Sequence, residues 1–456
     1  DAEVQDSTKK KRPRLPLESY YFNDSIRSLR NWKWYIDRDY NRVKVEPLDT
    51  TLADWRIDYP FYRRGAGDMA LGGLGQSTQP VNWFERRQSP DFIFARSYDA
   101  YTARTDNVPF YNGKTPLSNL MYIESGQKRY REEHFELVHS QNVSPSTSAN
   151  ISYKARSTMG KYEWQRTKNH ALSVAFAHTG KRYSVHAAYM NNMIDTRENG
   201  GVVGEWAIVD TTFEMPSGVP MRLTNSEAHN KYRNNGFFIK QAYAIPLQRV
   251  TEYDFSLADL SAVYIGHQLE YNAWTKTYTD LRATYTDERG GGVDENGDYI
   301  PVTREYYDNW YINPYSTRDS ISERLLSNKI FIQAQPWDRN GAVGTLDGGV
   351  GVDLHTYSHF SLESYASGKL QKTRKTSWYV YGSVNGKIKR YVDWQADAKY
   401  YPSGYRGSDL SIGGEITLRA FIREHPLILT GRFRQEFRSP SFWQETLFSN
   451  HYLWFN

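Results

Sequence analysis

Along residues 409–422, DLSIGGEITLRAFI, apolar side chains return at every second position. Leu410, Ile412, Ile416, Leu418, Ala420 and Ile422 share one parity, and Ser411, Gly413, Glu415, Thr417 and Arg419 share the other. A period of two predicts a β-strand with one greasy and one polar face. The run is about 14 residues long, against ~5–6 for a typical soluble strand. The same alternation recurs in SANISYKAR, where Ile151 and Tyr153 oppose Lys154 and Arg156, and in NHALSVAFAH, where Leu172, Val174 and Phe176 point one way. In RYSVHAAY, Tyr183 and Val185 oppose Arg182 and His186. In KIKRYVDWQADAKYY, Ile388, Val392 and Trp394 oppose Lys389, Asp393 and Gln395.

Thirteen strands are predicted in all, at 117–124, 131–139, 148–157, 169–178, 182–190, 234–244, 260–273, 328–336, 343–358, 376–384, 387–401, 409–422 and 427–437. No helical period of useful length interrupts them. Residues 1–113 differ: they carry Gly and Pro punctuation such as GAGDMALGGLGQSTQPVNW and lack sustained alternation. They read as an irregular N-terminal segment, periplasmic or folded into a barrel mouth, ahead of a barrel over 114–456.

Connector length follows strand parity. TGK (179–181), PWDRNG (336–341), NG (385–386) and REHP (423–426) are short, whereas 191–233 and 274–327 are long and polar. The link at 245–259 breaks the rule. Tight turns at one end and long loops at the other are the asymmetry of an outer-membrane barrel. A soluble sandwich would keep its strands short and concentrate bulky aliphatics on one face. Here several strands run 11 to 15 residues, enough for the ~9–11 tilted residues of a bilayer crossing.

The predicted fold is therefore all-β: a transmembrane antiparallel up-and-down β-barrel of about 14 or more strands. Ile151, Tyr153, Val174, Phe176, Val185, Ile412, Ile416 and Leu418 would face lipid. Lys154, Arg156, Arg182, His186, Lys240, Lys389, Asp393, Glu415 and Arg419 would line a wet lumen. Bacterial single-chain barrels have an even strand number. The odd count, with the strand-like NHYLWFN at the end, means either that the chain stops short of its closing strands, the reading we favour, or that one more strand closes a 14-strand barrel within these residues.

Composition sharpens this picture at three points. Mean hydropathy is −0.74, and no run approaches the ~18–20 apolar residues of a membrane helix, so crossing by helices is excluded. Aromatics are 15% of the 456 residues, with 36 Tyr and 13 Trp, side chains suited to a boundary between dry and wet. Cysteine is absent, which excludes a disulfide scaffold and a Cys-ligated zinc site. A net charge of +5 is small beside 57 Lys and Arg and 52 Asp and Glu, so no nucleic-acid partner is expected. The run KKKRPR at Lys9–Arg14 reads as a solvated tail. The chain opens at Asp1 with no charged-then-apolar leader, and we read it as a mature form whose export signal has been removed.

Five segments together, EPLDTTLADW (46–55), GGLGQSTQ (72–79), VHSQNVSP (138–145), TGKRYSVHAAY (179–189) and RENGG (197–201), resemble the putative porin family of Bacteroidota. The similarity runs from about residue 46 to the C-terminus. It implies an exported barrel in a Gram-negative outer membrane, whose partners are outer-membrane lipid and lipopolysaccharide. It supplies no catalytic residues.

No HExxH, GxSxG, P-loop or dinucleotide fingerprint is present, and no cofactor or metal is expected. In GGGVDENGDYIPVTRE (290–305), Gly297 is fourth from Asp294 where an EF-hand requires the sixth position. Asp294, Glu295 and Asp298 read as a solvated acidic loop. His170, His178, His186 and His267 have no partner spacing of a catalytic set and read as lumen or rim histidines. Two functions remain. The first is a passive channel for small hydrophilic solutes, which needs no catalytic residue. The second is a plugged, non-conducting accessory barrel that binds other outer-membrane proteins or periplasmic lipoproteins, for assembly or secretion. An outer-membrane hydrolase is the third and least supported.

Overall fold

The computed structural model describes residues 31–48, 67–70, 72–86, 92–180, 182–210, 212–213, 218–224, 228–246, 262–335, 343–365, 367–422 and 425–456. The basic run Lys9–Arg14, most of 46–55, most of the link 245–259 and the turn 336–341 lie outside these residues.

Two strands, β1 (Asn31–Ile36) and β2 (Val43–Pro47), form a hairpin, and β3 (Phe110–Gly113) pairs with the other side of β1. Thirteen longer strands follow: β4 (Leu117–Ser125), β5 (Glu132–Ser144), β6 (Thr147–Thr158), β7 (Thr167–Thr179), β8 (Tyr183–Arg197), β9 (His229–Pro246) and β10 (Ala262–Leu281). They continue with β11 (Ser316–Gln335), β12 (Thr345–His359), β13 (Gln371–Ile388), β14 (Val392–Gly404), β15 (Leu410–Ile422) and β16 (His425–Phe437). Each pairs antiparallel with its neighbours in chain order, giving one 13-stranded up-and-down sheet. Among the described residues β4 and β16 each pair on one side only, and no pairing joins them.

The predicted strand count matches the sheet, while several predicted strands, among them 328–336 and 376–384, are too short. Strands β10 and β11 run 20 residues each and stay in register from Ala262↔Gln335 to Leu281↔Ser316. The segments 274–281 and 316–327, predicted as loop, are strand. Between Leu281 and Tyr271 on β10 and before Leu326 on β11, the outward residues Thr275, Thr277, Thr279, Arg318, Ser320, Ser322 and Arg324 are polar, so the apolar half of the alternation disappears there although the backbone ladder continues. Asn385-Gly386 is also no turn. Asn385 sits inside β13 opposite Thr345, and its side-chain amide donates to Thr345 Oγ1 at 2.7 Å. The chain reverses at Lys389–Tyr391 instead, with Lys389 at φ 50° and the Tyr391 amide bonded to the Ile388 carbonyl.

The two faces of the sheet differ. On the outer face, apolar residues align across strands: Phe237–Tyr271–Leu326–Leu354, then Ile239–Leu269–Asn328–Val352–Trp378, then Gln241–His267–Ile330–Val350–Val380. Ile330, Val350 and Trp378 are each more than half exposed. On β11 this belt runs from Leu326 to Ala334, about nine residues, which matches one bilayer crossing. The inner face is covered by residues 31–48 and 92–113. Small residues there make room: Ala175, Ala177 and Ala188 receive Trp34, Ile36, Val108 and Phe110. Inner glycines act as sockets between strands. A Cβ on Gly266 would lie 2.1 Å from the Phe331 ring, and one on Gly351 would lie 2.3 Å from Tyr379.

Candidate functional site

The turn of the hairpin between β1 and β2 lies against the inner face of the sheet. This turn, DRDYNR (37–42), is built on Asp37, whose Oδ1 accepts from the amides of Asp39 (2.8 Å) and Tyr40 (3.2 Å). Asn41 closes it at φ 55°, a left-handed conformation that asparagine tolerates.

This turn is gripped by six consecutive strands. Lys329 of β11, 1% exposed, donates to the carbonyls of Arg38 (2.8 Å) and Asp39 (3.1 Å) and to Asn41 Oδ1 (3.2 Å). Each of the three donors an ammonium group can offer is thereby matched by an oxygen of the turn. From β10, Glu270 pairs with Arg38 at 2.8 Å and Gln268 donates to the Arg38 carbonyl at 3.0 Å. From β12 and β13, Asp347 and the Tyr381 hydroxyl accept from the fully buried Asn41 side chain. From β14, Lys399 pairs with Asp39 at 2.9 Å and Asp397 with Arg42 at 2.8 Å. Lys240 of β9 reaches the Asn41 carbonyl at 3.5 Å. Nearer the long loops, Asn192 of β8 exchanges two 2.8 Å hydrogen bonds with the backbone of Ala103.

A second layer lies at the long-loop end, where Phe92, Tyr98, Tyr232, Trp274, Leu325, Tyr357, Phe442 and Trp443 form one apolar cluster. Its C-terminal members come from residues beyond β16 that turn back across the inner face. Trp443 Nε1 donates to Glu323 Oε2 at 2.8 Å, and Glu323 Oε1 meets His355 Nδ1 at 2.9 Å, all three side chains being buried. Asn450 ties the same segment to β11 and its preceding loop: its amide donates to Asp319, and its side chain receives the amides of Ile312 and Asn313.

Beside the turn at 37–42 remains a chamber of about 1290 Å³. Lys154, Arg156 and Glu136 line it from β5 and β6, Gln395 and Glu415 from β14 and β15, and Asp37, Asp39, Arg42 and Asp106 from the N-terminal segment. Both flanks of the sheet thus bound one space. One water needs roughly 10–15 Å³ of such volume, so the chamber is spacious for water and small solutes.

The residues singled out from sequence occupy distinct places. Arg156, His186 and Lys240 are buried on the inner face. Lys154 pairs there with Glu136 at 2.7 Å, Glu415 with Arg432 at 2.7 Å, and Asp393 with Arg419. Arg182 precedes β8 and is exposed, and Lys389 is exposed in its turn, so both stand at the short-turn rim and neither on a strand. Ile151, Val174, Phe176, Ile412, Ile416 and Leu418 are exposed on the outer face, with Tyr153 and Val185 half-buried on the same parity. His170 meets the Tyr153 hydroxyl and His267 meets Asn328, both on that outer side. In the acidic loop, Asp294 Oδ1 accepts the amides of Asn296 and Asp298, and no metal-binding group of carboxylates or histidines occurs among the described residues. The grip on 37–42 was not foreseen. Its one sequence signal is Lys329 in mid-strand, flanked on the opposite parity by Ile330 and Ile332.

Electrostatics in the chamber centre on the turn. Burial, reinforced by the neighbouring carboxylates of Asp39 and Asp106, pushes the Asp37 carboxyl up to about 6. Burial acts the same way on Asp39, but Lys399, Arg38 and Lys329 outweigh it and hold that carboxyl well below the usual range. Asp37 therefore binds a proton more readily when the turn is docked than when it is free, since a free aspartate titrates near ~3.9. Its contribution to docking is complete below about pH 4 and is lost as pH rises through about 6. Lowering the pH from 7.5 to 5 should neutralise the Asp37 carboxylate and tighten the turn. Asp37→Asn should abolish that pH dependence, read as ion selectivity of the reconstituted protein.

A family model described as "Putative porin" matches residues 31–456. The chain belongs to this porin family. Membership makes it a porin-like outer-membrane β-barrel protein. No curated protein matches the sequence. Among solved structures, it is similar to the ferric-catecholate import receptor Fiu of E. coli K12. The closed form gives a TM-score of 0.40 at 9% identity over 75% of this chain and 50% of that one. The open form gives 0.39 at 10% identity over 73% and 53%. The chain spans about half the length of these structures.

Proposed function

We propose that this porin-family protein passes small hydrophilic solutes passively across the outer membrane, through the chamber beside its internal plug in place of an open bore. The observation that carries this reading is the chamber itself: about 1290 Å³, bounded by charged side chains from both flanks of the sheet and from the plug. Selectivity would follow from those fixed charges. Passive passage requires a wet path and no reacting group.

A specific observation favours the non-conducting accessory reading as an alternative. The aromatic layer around Trp443 and Phe92 covers the inner face at the long-loop end. Planar-bilayer recording separates the two. The channel reading predicts small, stable conductance steps, and Lys154→Glu should shift selectivity toward cations, because it reverses a charge on the chamber wall. Silence of both the native protein and a variant with its plug released would favour the accessory barrel.

A further inference from the structure

On β9–β13 the outer apolar belt gives way toward the long-loop end to two aligned rows: Asn235–Ala273–Arg324–Thr356–Arg374 and, beyond it, Arg233–Thr275–Ser322–Ser358–Lys372. The carboxylates of these strands are confined to one face. Their acids, Glu270, Asp280, Asp319, Glu323, Asp347 and Asp353, all lie on the inner parity. Arg233, Arg318, Arg324, Lys372 and Arg374 are exposed on the outer face, and among the described residues none of the five pairs with a carboxylate. A surface facing only water ordinarily intersperses both signs. This strip carries cations, hydroxyl groups, one amide and one alanine but no carboxylate, and it borders the outer apolar belt toward the long-loop end of the strands.

We propose that the strip binds the phosphate groups of anionic lipid in the leaflet on the long-loop side, with Arg324 and Arg374 closing over Thr356 as its clasp. The inference rests on the outer-membrane reading and does not depend on conduction. Thr356 stands directly between the two arginines in register. Neighbouring strands are ~4.8 Å apart, so the two arginine backbones lie ~10 Å apart and their guanidinium groups can converge on one phosphate. Arginine suits this task because its planar fork offers two parallel donors to phosphate oxygens, while threonine adds a hydroxyl donor. Acyl chains of the same lipid would lie along Leu326, Leu354 and Ile330, continuous with the strip.

The test uses the full chain in a neutral maltoside detergent, with bis-phosphorylated lipid A, dephosphorylated lipid A and inorganic phosphate as separate probes. Native mass spectrometry and the thermal unfolding midpoint report binding. Bis-phosphorylated lipid A should remain bound and raise the midpoint, and the other two should do neither at equal concentration. Arg324→Gln/Arg374→Gln should weaken its binding about tenfold or more. Wild-type conductance or the native gel mobility of this variant shows that it has folded. Equal retention of dephosphorylated lipid A, equal binding of inorganic phosphate, or unchanged binding by the folded variant overturns the proposal. Failure of the channel reading appears separately, as absent conductance with lipid A binding intact.

Discussion

Lys329→Met should release the plug and raise single-channel conductance several-fold. The lysine supplies every donor of its ammonium group to the turn at 37–42, from a position 1% exposed. Methionine keeps the length of the side chain beside Phe331 and Tyr381 but offers no donor. The carbonyls of Arg38 and Asp39 would then be left buried without a partner from β11. Removing one member of a buried charged network typically costs ~3–5 kcal/mol, enough to displace a hairpin that must be ordered against chain entropy. The barrel strands lose nothing comparable, because their ladder is made of backbone bonds that the substitution does not touch. Two readouts check this: larger bilayer conductance, and new protease cleavage within 31–48 of detergent-solubilised protein. Unchanged conductance together with unchanged protection would show that Lys329 does not hold the turn.

Trp443→Ala should undock the segment that follows β16 while leaving the sheet intact. Trp443 is 1% exposed and lies edge-on to Tyr357 and Phe92 at 5.7 and 6.3 Å between ring centres. Truncating a buried tryptophan to alanine costs ~3–5 kcal/mol. The substitution also removes the 2.8 Å hydrogen bond from the indole to Glu323 Oε2. Hydrogen exchange should become fast over 442–455 and over 312–317, the partners of Asn450, and stay slow over 262–281 and 326–335. Protection retained in the C-terminal segment would contradict this assignment.

The strands were legible in the sequence where one parity was apolar, as at 409–422 and 169–178, because there the outer face carries an apolar side chain at nearly every second residue. They became illegible where that pattern ends. Beyond Leu326 toward the long loops, the outer parity of β11 becomes Arg324, Ser322 and Ser320, and the sequence looks like loop although the hydrogen-bonded ladder goes on to Ser316. Turn chemistry misled at Asn385-Gly386, where an asparagine side chain serves a cross-strand hydrogen bond instead of a reversal. For the interior, alternation told which way Lys240 and Arg156 point but not what they meet. The contacts that fill the inner face join residues far apart in the chain: Lys399 grips Asp39 across 360 positions and Lys329 reaches Arg38 across 291. A lysine facing water and a lysine facing a carbonyl-lined plug look identical in one sequence.

The central claim is that the outer parity of these strands lies in hydrocarbon and the inner parity does not. Because the chain has no cysteine, single cysteines can be placed at Ile330, Val350 and Ile416 on one parity and at Ser152 and Ser173 on the other. Each is labelled with a small fluorophore in reconstituted protein. Nitroxide-bearing lipid tails should quench the first three strongly and the last two weakly. Equal quenching on both parities, or a protein that stays dissolved without detergent, would contradict the account.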